Sequence, residues 1–292
     1  MPKKKTAFLF IIVAGILWGT SGLFVNFLAP YGYTSLQMVA ARGLFSAISM
    51  VIYTFFYDRS LFRANGWELL LYALSGLSMF GAASSYYTSM QHTSVATAVV
   101  LMYTAPVFVM VYSVLFLGEK LNRLKMISII GMLTGCVLVS GVIGGASGSG
   151  FGIFIGLMAG ISYSAYNIFT KIQMGRPCHP LTATMYCMVF MAIIALSFAK
   201  PVEMVAVTGQ KPLFLLPMLI ALALFTGVLP YFLYTLALKA LPAGTASALG
   251  IIEPMAATVM SVLFLKEPLP LFPCLGIICI LGSVFLLSRS EE

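Results

Sequence analysis

Ser113-Val-Leu-Phe-Leu-Gly-Glu-Lys-Leu121 recurs as Ser261-Val-Leu-Phe-Leu-Lys-Glu-Pro-Leu269, identical at seven of nine positions. Pro106 matches Pro254, and Thr97-Ala98 matches Thr245-Ala246, at the same offset of 148. Nearer the start, Gly15, Gly19 and Asn26 match Gly156, Gly160 and Asn167 at an offset of 141. The chain therefore reads as two related halves, 1–143 and 144–292, with the glycine-rich stretch 141–152 as linker. Apolar runs bounded by charges, Gly or Pro predict ten helices, at about 6–28, 34–57, 66–90, 94–117, 122–143, 151–173, 180–199, 213–238, 243–265 and 270–288. Five spans per half is an odd number. The second half then enters the membrane from the opposite side, and the repeat has inverted topology.

Composition places these runs in a bilayer. Of the 292 residues, 61% are hydrophobic and 8% charged, where soluble domains carry roughly 45–50% and about 25%. So few charges leave the surface of a soluble enzyme of this size without solvation. Runs of about twenty apolar residues also exclude barrel strands, which alternate over roughly ten. The fold class is all-α, one membrane domain. The net charge of +8 lies in short loops rather than on one face with interleaved aromatics, so nucleic acid is not an expected partner. Cys136, Cys178, Cys187, Cys274 and Cys279 fit no zinc or disulfide spacing and read as small core residues. Lys3, Lys4 and Lys5 precede a run too long for a signal-peptide core, which reads as an uncleaved first span.

Charge also predicts orientation. With the N-terminus inside, the inner loops hold Lys3, Lys4, Lys5, Arg59, Arg63, Lys120, Arg123, Lys125, Lys171, Arg176, Lys239 and Arg289, against Lys200, Lys211 and Lys266 outside. Lys and Arg accumulate on the cytoplasmic side. Both termini are expected there.

Two related halves of opposite orientation can exchange conformations and open a central site to either side, which points to a transporter. Ten helices as five plus five, Trp18-Gly19 in the first, Leu117-Gly118-Glu119 ending a Pro-containing fourth, and Glu253-Pro254 with Leu265-Lys266-Glu267 in the ninth resemble the drug/metabolite transporter superfamily, in its ten-helix EamA-type branch. The resemblance spans essentially the whole chain. It implies a plasma-membrane exporter of amino acids or other metabolites, bacterial or archaeal, with a cavity among helices one, three, four, six, eight and nine. Transport of organic cations such as quaternary amines or drugs is the alternative, and a channel a more distant one. The expected partners are a small-molecule substrate and the lipid bilayer, with the chain a monomer or homodimer.

Charges within a bilayer are costly and face protein or an aqueous cavity. Two stand out, Arg42 in the second span and Glu253 in the ninth. Glu253 lies near the midplane on the small-residue stripe Ala246, Gly250, Glu253, Ala257, Ser261. A carboxyl there suits a proton or cation site, or a lock between helices. Arg42 either pairs with carbonyls or Glu253, or binds a substrate carboxylate. Lys171, near a helix end, reads as snorkelling. Pro106 and Pro254 predict kinks that free the carbonyls of Met102 and Gly250. Gly15, Gly19, Gly22, Gly156 and Gly160 predict close helix contacts.

Among tyrosines within the spans are Tyr86, Tyr87, Tyr103, Tyr163, Tyr166, Tyr231 and Tyr234. Aromatic faces suit organic cations, and Tyr or Asn groups suit zwitterions. Interfacial anchoring explains Tyr31, Tyr33, Tyr53, Tyr57 and Trp67 better. The predicted substrate site is Trp18, Asn26, Tyr86, Tyr103, Tyr163, Asn167 and Glu253, with Arg42 and Glu253 as coupling residues or ion pair. No cofactor, metal or enzymatic activity is expected: His92 and His179 lie near loops, no Asp occurs within a span, and no phosphate-binding Gly-rich motif is present.

Overall fold

The computed structural model describes residues 3–93, 98, 101–118, 120–140, 149–266 and 271–290. Most of the predicted linker, at 141–148, lies outside the described residues, as do Thr97, Glu119 and Glu267. The described residues are helical, without strands: α1 Lys4–Gly19, α2 Ser21–Leu28, α3 Ser35–Tyr57, α4 Gly66–His92, α5 Ala105–Phe116, α6 Arg123–Ser140, α7 Gly150–Met174, α8 Pro180–Phe198, α9 Pro201–Gln210, α10 Pro212–Ala223, α11 Leu229–Leu238, α12 Ala243–Leu249, α13 Ile252–Leu265 and α14 Leu271–Ser290. Among the described residues, seven helical runs are long and apolar enough to cross a membrane, and Ala105–Phe116 and Cys274–Leu287 are shorter apolar helices. Starts follow local chemistry. Thr34 with Gln37 and Asn65 with Glu68 form capping boxes on α3 and α4, and His179 caps α8 ahead of Pro180.

Several predicted spans are broken, and the breaks correct the sequence reading. At Thr20 the hydroxyl and the backbone N–H both donate to the Leu17 carbonyl, at 2.7 and 3.1 Å, which tightens the turn and separates α1 from α2. Beyond it the helix presents a different face. Leu28 is the buried residue of α2, and Asn26, two residues earlier, lies about 200° around the axis and is exposed. Gly22 likewise faces open space rather than a neighbouring helix. Pro106 and Pro254 do not kink continuous helices. Each sits in the first turn of a new helix, α5 or α13, where its missing N–H costs no bond. The Gly250 carbonyl is not freed, because it accepts from the Glu253 N–H at 2.9 Å. The eighth predicted span contains a π turn at Leu224–Val228 between α10 and α11. The short helix α9, extended from Lys200 at φ 52°, stands where a loop is expected.

Close approach holds α1 on α13. A Cβ on Gly15 would lie 3.0 Å from Ile252, and one on Gly19 2.7 Å from the Ala256 methyl. Gly156 and Gly160 of α7 likewise pack on Leu101 and Thr104, at 2.5 and 2.8 Å by the same measure. Several polar side chains inside the bundle are paired across helices, which lowers the cost of holding them in hydrocarbon. Gln173 of α7 donates to the Leu71 carbonyl at 3.0 Å and Ser75 Oγ at 2.7 Å on α4. Ser46 Oγ of α3 donates to the Ala223 carbonyl at 3.2 Å, just ahead of the π turn, where Gly227 lets α3 approach.

Candidate functional site

Around the helix breaks lies a cavity of about 80 Å³ whose wall includes Trp18, Arg42, Tyr86, Tyr163, Tyr231 and Glu253. Four elements of sequence logic place these groups. Trp18 ends α1 just before the Thr20 break, and Arg42 lies in α3 beside the π turn, its Cγ 3.4 Å from where a Gly227 Cβ would stand. Tyr86 belongs to a stripe of α4, Met79, Ala82, Ala83, Tyr86, Tyr87, all of which line the cavity. Glu253 opens α13.

Glu253 and Arg42 face the same space without an ion pair between them. Tyr103, 2% exposed, donates its hydroxyl to Glu253 Oε2 at 2.7 Å from the turn ahead of α5. That bond occupies one carboxylate oxygen and orients the other. The Trp18 ring meets Tyr231 edge-on at 4.9 Å and Tyr234 at 5.5 Å, and its buried indole N–H has no hydrogen-bond partner among the described residues. The chemistry available is thus one carboxyl group, one guanidinium, an unpartnered N–H donor and aromatic faces.

The structure brings Trp18, Tyr86, Tyr163, Glu253 and Arg42 of the predicted residues to this cavity. Tyr103 stands behind Glu253 as its hydrogen-bond donor rather than forming wall. Asn167 is fully buried away from the cavity. Its Nδ2 donates to the Tyr163 carbonyl one turn back in α7 at 2.7 Å, and its Oδ1 accepts from the Tyr234 hydroxyl, the bond that ties α7 to α11. Asn26 is on the outside of α2, for the reason given above. The predicted symmetry between the two asparagines fails because α7 runs unbroken where the first span does not. Sequence reasoning missed Ser21, Met79 and Met102. The spacing of Met79, Ala83 and Tyr86, three to four residues apart, carried a signal for the α4 stripe.

The family model described as the EamA-like transporter family matches the chain twice, over residues 5–141 and 150–289. The chain belongs to this family. Similar proteins include an uncharacterized transporter, YwfM, of Bacillus subtilis, 24% identical over 97% of this chain and 94% of its own. An uncharacterized inner membrane transporter of Salmonella typhimurium, YicL, is 24% identical over 100% of this chain and 98% of its own. A solved crystal structure has the same fold, with a TM-score of 0.78 at 17% identity over 100% of both chains. This EamA-like protein is an integral membrane transporter.

Proposed function

We propose that this EamA-like transporter is a secondary carrier that exports amino acids or related metabolites by alternating access. In this reading the chain crosses a bacterial or archaeal plasma membrane ten times, as inverted halves 1–143 and 144–292 with both termini cytoplasmic. The observation that carries the substrate class is the pair Arg42 and Glu253, opposite charges lining one cavity without an ion pair. A zwitterion satisfies both at once. Its carboxylate meets the guanidinium fork, and its ammonium meets the carboxylate oxygen that Tyr103 leaves free. The aromatic walls shield that second contact from water and add cation–π attraction.

The two-fold family match and the twelve-to-three charge split support the halves and their orientation. A difference between the halves supports alternating access. Gly15 and Gly19 stand over Ile252 and Ala256, whereas their counterparts Gly156 and Gly160 stand over Leu101 and Thr104, which correspond through the repeat to Leu249 and Ile252. The two contacts differ by three to four residues, about one helical turn or roughly 5 Å. An exchange of these registers between the halves moves the walls by that distance and opens the contracted cavity to the other side.

Counterflow in proteoliposomes tests the proposal. Labelled amino acids should accumulate against an internal amino acid pool, and Arg42→Gln should abolish this while sparing residual flux of amines. Glu253→Gln should impair transport more than expression. Accumulation driven only by choline or nucleobases, without competition from any amino acid, overturns the zwitterion assignment.

A further inference from the structure

The central cavity continues into a narrow neck. This second space, of about 10 Å³, shares Ser21, Arg42 and Tyr87 with the cavity and is otherwise lined by Val25, Met38, Val39 and Leu222. Val25 lies one turn beyond Ser21 in α2, and Met38 and Val39 lie about one turn before Arg42 in α3. The neck therefore points toward the end of α2 and the start of α3. The helix α10 begins at the same end, where the Phe214 ring stands 5.7 Å from that of Tyr31. The start of α1 and the end of α7 are on the opposite side, Lys4 and Lys171 lining one hollow there.

The two ends of the cavity are closed by different means. Toward the start of α1, the wall residues Tyr163 and Tyr231 are backed by Tyr166 and Tyr234, each three residues further along its helix. Tyr166 stacks on Tyr163 at 6.2 Å and on Tyr234 at 6.5 Å and meets Tyr231 edge-on at 5.6 Å, and the Tyr234 hydroxyl donates to Asn167. Opening that end breaks ring contacts and a buried hydrogen bond. Toward the start of α3 the added barrier is aliphatic and about one turn deep, with Met38, Val39 and Leu222 buried. Val25 corresponds to Tyr166 at the repeat offset of 141, so one place in the two halves carries an aliphatic side chain at one end and a clustered ring at the other. About 10 Å³ is at the limit for a single water, and an apolar constriction of that width closes by excluding water. Rotamer changes in Val25, Met38, Val39 and Leu222 widen it without breaking a side-chain hydrogen bond.

We propose that substrate passes between the cavity and the membrane side opposite the N-terminus through this neck, with Val25, Met38, Val39 and Leu222 as its size-limiting wall and Arg42, which borders both spaces, as the charge filter at its inner end. A guanidinium at that junction draws a carboxylate into the neck and repels a cation that carries no anionic group. The inference rests on the carrier reading above and adds to it residues that lie outside the substrate site.

The test uses Val25→Cys, Val39→Cys and Leu222→Cys in sealed vesicles whose orientation is read from protection of an N-terminal tag. The probes are membrane-impermeant thiosulfonates bearing either a sulfonate or a trimethylammonium group, with the unsubstituted chain as background for its five native cysteines. Ile48→Cys, on the exposed face of α3, is the control outside the neck. All three neck cysteines should react from the side where α3 starts, and Ile48→Cys from neither side. At position 39 the sulfonate should react about tenfold faster than the trimethylammonium, because Arg42 lies one turn away, and adding Arg42→Gln should bring the two rates together. Neck variants that fold, by size exclusion, yet react no faster than Ile48→Cys overturn the route, and so does reaction as fast or faster from the side of the N-terminus. A sulfonate preference that survives Arg42→Gln overturns the filter. Because no substrate is present, this result separates from the substrate reading. A reactive neck with failed amino acid counterflow keeps the route and removes the substrate class, whereas active counterflow with an unreactive neck removes the route alone.

Discussion

Replacing Gly19 with alanine should destabilise the protein, and replacing Gly22 should not. An alanine methyl at position 19 would stand 2.7 Å from the Ala256 methyl and 2.8 Å from the Ala257 nitrogen, where ordinary contact begins at 3.4 Å. The deficit of about 0.7 Å falls on a methyl and a backbone atom, neither of which can rotate away. The helices α1 and α13 must part. Overpacking of this kind costs about 1–3 kcal/mol, against a gain of about 0.5–1 kcal/mol from the better helix propensity of alanine. The net expectation is a loss of roughly 1–2 kcal/mol, a fall of a few degrees in unfolding temperature. Position 22 offers the control, because nothing lies within 4 Å of its added methyl. Gly22→Ala should therefore hold or gain about 0.5 kcal/mol. Thermal unfolding of both variants in detergent, with counterflow on the same preparations, reads the contrast. Gly19→Ala should also lose transport, since Trp18 and Glu253 flank the widened contact. Equal stability of the two variants would refute the close approach of α1 and α13.

Further outcomes follow from single contacts. Tyr103→Phe removes the donor to Glu253 Oε2 and should lower counterflow about tenfold, the loss of about one hydrogen bond to a charged or buried partner, with folding retained on size exclusion. Gly227→Ala places a methyl 2.1 Å from Ser46 Oγ and should cost about 1–3 kcal/mol. Adding Ser46→Ala should recover part of this loss, and a strictly additive double-mutant cycle would argue against contact. Burial, with Lys239 second, holds the His179 imidazole below its ordinary 6.5. The unfolded chain then takes up its proton first as pH falls, so this contribution is full above 6.5 and is lost below it. Protonation also removes the Nδ1 acceptor that caps the Leu181 N–H at 3.3 Å. Unfolding temperature should decline as pH drops from 6.5, by a small amount because His179 is exposed, and His179→Asn should flatten that slope.

The helical class was legible because uninterrupted apolar runs admit little else in a bilayer. Arg42 and Glu253 stood out for the same reason, a charge within such a run being rare. The direction of each side chain was not legible. These helices are apolar almost all round, so no amphipathic stripe records which face is interior. Asn26 shows the consequence. Its glycine stripe looks continuous in sequence, but one hydroxyl, that of Thr20, interrupts the helix and turns Asn26 outward. Asn167 was equally visible as an intramembrane polar group, yet it is buried away from the cavity with its amide oxygen on the Tyr234 hydroxyl, and only the packing of α7 on α11 reveals that. The π turn answers to Ser46 on another helix, and α9 to the turn at Lys200. The π turn has no local signal, whereas Pro201 at the first position of α9 and Glu203 in its first turn are a start signal that the sequence reading passed over.

The π turn at Leu224–Val228 also works as a phase shifter. It accommodates one residue more than an α-helical turn, and every side chain after it is rotated by about 100° relative to an uninterrupted helix. Tyr231 and Tyr234, which meet Trp18, both lie downstream. Deleting one residue from the turn would give a more regular helix and aim both tyrosines about a quarter-turn away from Trp18. In this segment a more ideal backbone and a correctly facing aromatic wall are mutually exclusive, so shortening the turn by a single residue should cost function while leaving helix content intact.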